Sequence, residues 1–519
     1  MRRPVLARTV VITALLFVVL FVYPGRGRQP PYPLLHTDAS TIDAYDHVSP
    51  DALAEDIDFY VSSIAAAHAD PNHFITEEAF RETAQELKSR LRAEHPDSVT
   101  LLDSYYYLQE LAASIQDEHT DIRFPQRWRE HLAPTFPLHL RIIDDRVYVE
   151  KDAGANGIPR YAEILSIDGR SVAEMLPEIL RFQNNTLYHY KLQAIQEDFD
   201  LWLQGYFGLR APWTVEYRHR DRVSTTAVRG ITIDDYRDAT RRDEAYSESL
   251  LTVGNDTVPV LEIPKFWYDD KKSYERFIDD LFNAHQDKSY LVLDLRRNPG
   301  GAGAWGLFVL DYLTDAEYQI QKRFAHKVSD PYKEIVRWTV RSSYHDAWIP
   351  RLLWWLPLHR FTDHYFKDVA GRLLQADNGT YVEVGDEFRD PNEGKARFRG
   401  TVFLLTSHYT NSAAVVVAAA FKAGNMGLIV GQETGGRVSF SSDPIFVELP
   451  NTALRAVIPV AILTLPGDNP SRGVLPDIPV EYSLDDYMAQ RDRELDTVRQ
   501  LVEAELTVNN PAAVSSGRR

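Results

Sequence analysis

The sequence predicts an α/β protein with an α-helical N-terminal region and a small β-rich module ahead of the main domain. Three observations predict it: strand–helix alternation from about residue 255, a period of two between 136 and 235, and three helical patterns between 49 and 121. With 519 residues and about 150 per domain, two to four domains are expected.

The chain opens with Arg2, Arg3 and Arg8, followed by the uncharged, mostly apolar run Thr9 to Tyr23, which Pro24-Gly-Arg-Gly-Arg28 ends. A spanning helix needs about 20 apolar residues. The shorter run fits a signal-peptide core, and no small-x-small cleavage site follows. Residues 1–28 therefore read as a signal anchor or signal peptide, and the Pro-rich 29–48 as a tether. The expectation is an exported protein on the outer side of the cytoplasmic membrane, in the cell envelope, anchored or secreted and touching membrane through this segment only.

Ser49-Pro50 offers a cap and a proline at the first helical position. Leu53, Ile57, Tyr60, Val61 and Ile64 continue at helical spacing. Further helices are expected over about Glu77 to Arg92 and Val99 to Ile115, completing a helical domain at 49–121. Leu138 to Ile142 and Arg146 to Glu150 alternate as strands, and Glu163 to Val172 reads as strand, Asp-Gly turn, strand. These define the module at 136–235.

The main domain is expected over 255–485. Val258 to Pro264, Tyr290 to Leu295 and Thr401 to Leu405 read as strands, the last two fully buried; Ser273 to His285, Ala304 to Leu313 and Ala413 to Lys422 read as helices. Such alternation argues for parallel strands. The stretch 319–398, with Trp354-Trp355 and several prolines, breaks the rhythm and reads as an insertion able to cover a cleft. Residues 486–519 read as a C-terminal helix and disordered tail.

Composition narrows the chemistry. Lys and Arg number 57 and Asp and Glu 75, a formal net charge of −18, which argues against general nucleic-acid binding. With no cysteine, thiolate metal sites, iron–sulfur clusters and thiol catalysis are excluded. H-E-x-x-H, P-loop and G-x-S-x-G patterns are absent, and His131 and His139 lack metal-site spacing. No metal or organic cofactor is expected.

Three candidates remain. Ser412, in Thr410-Asn-Ser-Ala-Ala-Val415, falls between a strand and a helix. The free N–H groups of the helix start would favour an oxyanion there, although a serine at this place is also an ordinary helix cap. Asn298-Pro-Gly-Gly301 follows a buried strand, where two glycines let backbone approach a ligand, or simply make a turn. His119, one of 16 histidines, offers an imidazole base near neutral pH.

Taken together, Leu291-Val-Leu-Asp-Leu-Arg-Arg-Asn-Pro-Gly-Gly301, Gly400 to Ala414, Gly431-Gln-Glu-Thr-Gly-Gly436 and Gly473-Val-Leu-Pro-Asp-Ile-Pro-Val480 resemble, in order, the motifs of the S41 serine peptidases. This is the group of the C-terminal processing and tricorn peptidases. The resemblance implies a crotonase/ClpP-like catalytic core, and Ile158 to Val172 resembles the end of a PDZ-like module. It also implies Ser412 as nucleophile and the N–H of Ala413, with Gly300 or Gly301, as oxyanion hole. Processing peptidases place a Lys base 25 residues after the Ser; here 412 + 25 is Arg437, which stays protonated. Asp117-Glu-His-Thr120 resembles the segment that carries the His base of the tricorn branch, which selects His119.

Departures accompany these matches. Glu118 stands where the family has Gly, and Val415 and Val416 where an acidic residue is usual. The group orienting His119 is unassigned, with Asp117 and Asp468 as candidates. The expected function is hydrolysis of a peptide or protein substrate through an acyl-enzyme on Ser412. The alternatives are a non-catalytic binder of an apolar ligand on the same scaffold and a membrane-tethered scaffold protein. The sequence leaves the oligomeric state open.

Overall fold

The computed structural model describes residues 42–509 except 242–243, 346–363, 386, 392–394 and 468; for 338–345, 364–368 and 507–509 it describes backbone only. The N-terminal apolar run, Trp354-Trp355, Asp468 and the tail from 510 lie outside the described residues. No helix among the described residues is long and apolar enough to cross a membrane.

The chain is a mixed α/β protein. At its centre is a six-stranded sheet in the order Ser247–Val253, Asp256–Glu262, Tyr290–Asp294, Thr401–Thr406, Leu428–Gly431, Ile478–Pro479. The first pair is antiparallel and the others are parallel. Side chains alternate across it: Leu291 and Leu293 join one hydrophobic cluster, Tyr290 and Val292 the other. Helices Lys271–His285, Gly303–Leu310 and Ala413–Ala423 contribute to the first cluster, and Val498 and Val502 of helix Arg493–Asn509 to the second. Both faces are thus covered, which is why these strands read as continuous apolar runs.

A second, antiparallel sheet runs in the order Tyr381–Glu383, Arg323–Lys327, Arg455–Thr464, Ser439–Glu448, with Asp121–Arg123 added beside Arg455–Thr464. The segment 319–398, read as an insertion, takes part in this sheet. Arg323–Lys327 pairs with Arg455–Thr464, so the segment builds a wall of the main body. It also supplies helices Asp330–His345 and His364–Gln375.

The N-terminal helices are Pro50–Ala67, Glu77–Glu94 and Leu101–Ser114, each with a Ser or Thr side chain capping its first turn. They are tied to the second sheet by polar bonds. The buried Asp56 carboxylate accepts from the N–H groups of Asn451 and Thr452 and from the Thr452 hydroxyl (2.9, 2.9 and 2.7 Å). The third helix ends just before residues 115–120, and Asp121–Arg123 then pairs into the sheet, so His119 is held between two fixed points.

Residues 138–228 form an antiparallel sheet of Leu138–Ile143, Arg146–Asp152, Glu163–Ile167, Trp213–His219 and Arg222–Val228. The strand expected to run through to Val172 shrinks to Arg170–Ser171, because helix Val172–Leu180 starts there. Helix Tyr188–Glu197 follows, so helices share this region with the strands.

Candidate active site

Ser412 stands at the N-cap position of helix Ala413–Ala423, but its hydroxyl makes no capping hydrogen bond. Its backbone sits at φ +50°, ψ −120°, a region that costs a non-glycine residue about 1–3 kcal/mol. A serine needed only as a cap would adopt extended backbone and turn its oxygen onto the helix N–H groups. Here the hydroxyl makes no such bond, and Ser412 lines a cleft with His119, Gly301 and Ala413.

The neighbouring loop is fixed by Asn298, which is fully buried. Its amide donates to the Ile263 carbonyl (2.9 Å) and accepts the Gly300 N–H (2.8 Å), while its own carbonyl accepts the Asn411 N–H (3.0 Å). One side chain therefore ties the glycine turn to the sheet, and its main chain ties that turn to the residue before Ser412. Gly300 has φ +106°, and a Cβ there would meet Ser412 Cβ at 2.8 Å and Ala413 N at 2.9 Å. Only glycine fits. Because Gly300 gives its N–H to Asn298, its contribution is the close approach. Gly301 lines the cleft, and so does Ala413, whose N–H as first residue of its helix has no partner within the helix.

His119 stacks on Phe440 (centroids 5.6 Å apart, 27° between planes). Burial pushes its imidazole below the ordinary value, with Asp117 pulling the other way and Arg437 adding to the depression. A ring so placed is neutral near pH 7, the form a base requires. Among the described residues no hydrogen bond joins it to Ser412. Contacts of this kind are often long until substrate is bound.

Two carboxyls flank the imidazole. Asp117 Oδ1 accepts the His119 backbone N–H (2.9 Å), which shapes the turn but leaves the ring alone. Glu118 Oε1 lies 3.8 Å from His119 Nδ1, and both atoms are buried without a hydrogen-bond partner. The other carboxylate oxygen of Glu118 accepts from Asn185 Nδ2 (2.9 Å), which fixes the group's orientation. Burial raises Glu118 to about 7 against the pull of Arg437. Asp117, by contrast, is lowered; burial raises it, but His68, His119 and Arg437 together outweigh that.

Arg437, 1% exposed, stacks over Phe74 (4.2 Å) and donates to the Gln116 carbonyl and the Thr186 hydroxyl (3.3 and 3.1 Å). The residue at the family's lysine position is thus a buried cation bracing the loop that carries His119. Val415 is buried in the main core, while Val416 lines the cleft.

Sequence reasoning missed the remaining cleft residues. Ile320, Gln321, Phe324 and Glu387 come from the supposed insertion, and Phe440, Ser442, Asp443 and Leu463 from the second sheet. Their strands pair across long sequence separations, and no local pattern announces that. Among the described residues no group of three or more His, Asp or Glu is placed to hold a metal ion.

Residues 257–480 match the family described as peptidase family S41. Mature CPAF is similar in structure (TM-score 0.63, 15% identity, covering 89% of this chain and 98% of that one). So is mature CPAF complexed with lactacystin (TM-score 0.62, 16% identity, 87% and 98%). A more distant likeness runs to the photosystem II D1 C-terminal processing protease (TM-score 0.39, 15% identity, 83% and 93%). Among curated proteins none matches in sequence.

Proposed function

Through residues 257–480 this chain is a serine-type peptidase of family S41, and from that premise we propose that it cleaves peptide bonds through an acyl-enzyme on Ser412, with His119 as general base. The observation that carries the proposal is the strained, uncapped Ser412, presented to a cleft shared with His119 and two candidate oxyanion donors.

In the proposed reaction Ser412 Oγ bonds to the scissile carbonyl carbon while its proton passes to His119 Nε2. The N–H groups of Ala413 and Gly301 hold the oxyanion. The C–N bond then breaks, and His119 gives the proton to the leaving amine. Water next attacks the ester, passing a proton through His119 back to Ser412 as the acid departs. Glu118 accepts the Nδ1–H and so keeps Nε2 free for the serine; a small closure of the 3.8 Å gap makes that bond. Substrates of a peptidase are peptides or proteins.

We read the six-stranded core as crotonase/ClpP-like and the 138–228 sheet as PDZ-like. We also read residues 1–28 as an export signal or anchor that places the enzyme in the cell envelope; Arg2, Arg3, Arg8 and the apolar run after them support that reading. The test of the chemistry is digestion of a diverse peptide library by wild type, Ser412→Ala and His119→Ala, with new termini read by mass spectrometry. Cleavage confined to the wild type is expected; cleavage by Ser412→Ala at the wild-type rate would overturn the proposal.

A further inference from the structure

The cleft beside Ser412 has apolar walls, including Leu307, Ile320, Phe324 and Leu463, but it also carries buried polar groups that these walls do not need. Asp443 is 8% exposed and sits at φ +51°, between residues 442 and 444 of strand Ser439–Glu448, which pair regularly with Ala461 and Pro459. The strand keeps its register through this residue, and Asp443 lines the cleft. No hydrogen bond reaches the Asp443 carboxyl among the described residues. Its nearest charged or titratable neighbour is His326, 3.7 Å away, itself bonded to the Tyr332 hydroxyl (3.0 Å).

Burial with the added charge of Arg372 lowers His326 to about 4, so it stays neutral and offers Asp443 no cation. Asp443 itself is raised to about 7 by burial alone.

Two further lining groups are unsatisfied. The amide nitrogen of Gln321 (3% exposed) and the hydroxyl of Ser442 (7% exposed) are buried without a partner. Gln321 is the cross-strand neighbour of Glu387, a second lining carboxyl raised by burial against the pull of Arg389, whose guanidinium is spent on Asp311. A buried carboxyl without a counter-ion and an unmet hydroxyl are unfavourable in the empty cleft, and a donor that pairs with both relieves the penalty.

We propose that this cleft receives a cationic side chain, that of a lysine or arginine supplying the carbonyl attacked by Ser412, with Asp443 as its counter-ion and Glu387 and the Ser442 hydroxyl as further acceptors. The aliphatic stem of such a side chain suits the apolar walls while its charged end takes the acceptors. The inference rests on the Ser412 peptidase reading and adds its substrate class.

The test uses the full chain in detergent with matched peptides varied only at the residue before the scissile bond, and with Asp443→Asn. Asparagine keeps the shape and tolerates left-handed backbone, so the local backbone is preserved. The wild type should cut after Lys or Arg with kcat/KM about tenfold or more above Leu, and Asp443→Asn should collapse that ratio by about tenfold. Butylammonium should compete with the Lys peptide for wild type. Ser412-dependent cleavage without basic preference, or a ratio unchanged in Asp443→Asn, overturns the inference and leaves the peptidase standing. Absence of any Ser412-dependent cleavage overturns the peptidase reading itself.

Discussion

Asn298 and Gly300 share one short bond: the Asn298 amide oxygen accepts the Gly300 N–H at 2.8 Å. That bond decides which donors face the cleft. It commits one glycine of the pair to holding the turn and leaves the N–H groups of Gly301 and Ala413 as the donors proposed for the oxyanion. Asn298→Ala would remove both side-chain bonds of a fully buried residue. Stranded donors and acceptors of this kind cost about 1–3 kcal/mol each. A lowered Tm together with a fall in kcat larger than the change in KM is the expected outcome.

Gly300→Ala tests the close approach directly. A Cβ would stand 2.8 Å from Ser412 Cβ and 2.9 Å from both Ala413 N and Asn411 O, on a backbone at φ +106°. These are main-chain neighbours that cannot swing aside. Loss of roughly 10²-fold or more in kcat is expected, the scale of a displaced oxyanion donor. Near-normal turnover would show that the turn yields more easily than its packing implies.

How far the sequence shows this site depends on how local each part is. Ser412, Ala413 and the Gly300-Gly301 turn follow directly from buried strands, and short motifs betray them. His119 lies 293 residues before Ser412 and 181 before Gly300, and only the family resemblance singles it out; the pairing of Asp121–Arg123 with Arg455–Thr464 brings it to the cleft. Glu118 reads in sequence as a departure from a glycine, whereas in the fold it is the carboxyl nearest the imidazole. Asp443 could not be recognised, because its direction depends on a left-handed backbone within a strand. Gln321 and Glu387 pair with each other in a small two-stranded sheet, across 66 residues of sequence, which no periodic trace announces.

Activity should rise with pH through the His119 titration, since the protonated ring cannot accept the Ser412 proton. Burial places that step below the ordinary histidine value. Glu118, raised to about 7, ionises next and gains strength as an acceptor for Nδ1–H. The kcat/KM profile of wild type should therefore climb in two steps. Glu118→Gln should remove the upper step and lower kcat by roughly 10²-fold. An unchanged profile would contradict the positioning role of Glu118.

Stability should respond to pH as well. Glu118 and Asp443 are both raised to about 7. A carboxyl raised in the folded state stabilises it below its unfolded value and loses that contribution as pH climbs through the folded value. The histidines lowered to about 4, His68, His326 and His408, act in the opposite sense, but only below their ordinary titration range. Above pH 6.5 the carboxyls alone remain, so Tm should fall between about pH 6.5 and 8. Asp443→Asn should flatten that fall.

The Arg437 cation acts on three titratable members of the site, lowering Asp117, Glu118 and His119 alike. Arg437→Met would keep volume and remove the charge, stranding a buried carboxylate, a change that costs about 3–5 kcal/mol. A drop in Tm should accompany an upward shift in the lower step of the activity profile, since the cation no longer opposes protonation of His119.

The central claim is that Ser412 is the nucleophile, and covalent capture tests it most directly. The full chain would be treated with a fluorophosphonate, digested, and the peptide containing Thr410 to Val415 weighed by mass spectrometry, beside His119→Ala and protein unfolded before treatment. The account predicts a phosphonyl adduct on Ser412 that forms rapidly in the folded wild type, slowly in His119→Ala and not in unfolded protein. An adduct on another serine, or Ser412 labelling equally in all three samples, would contradict it.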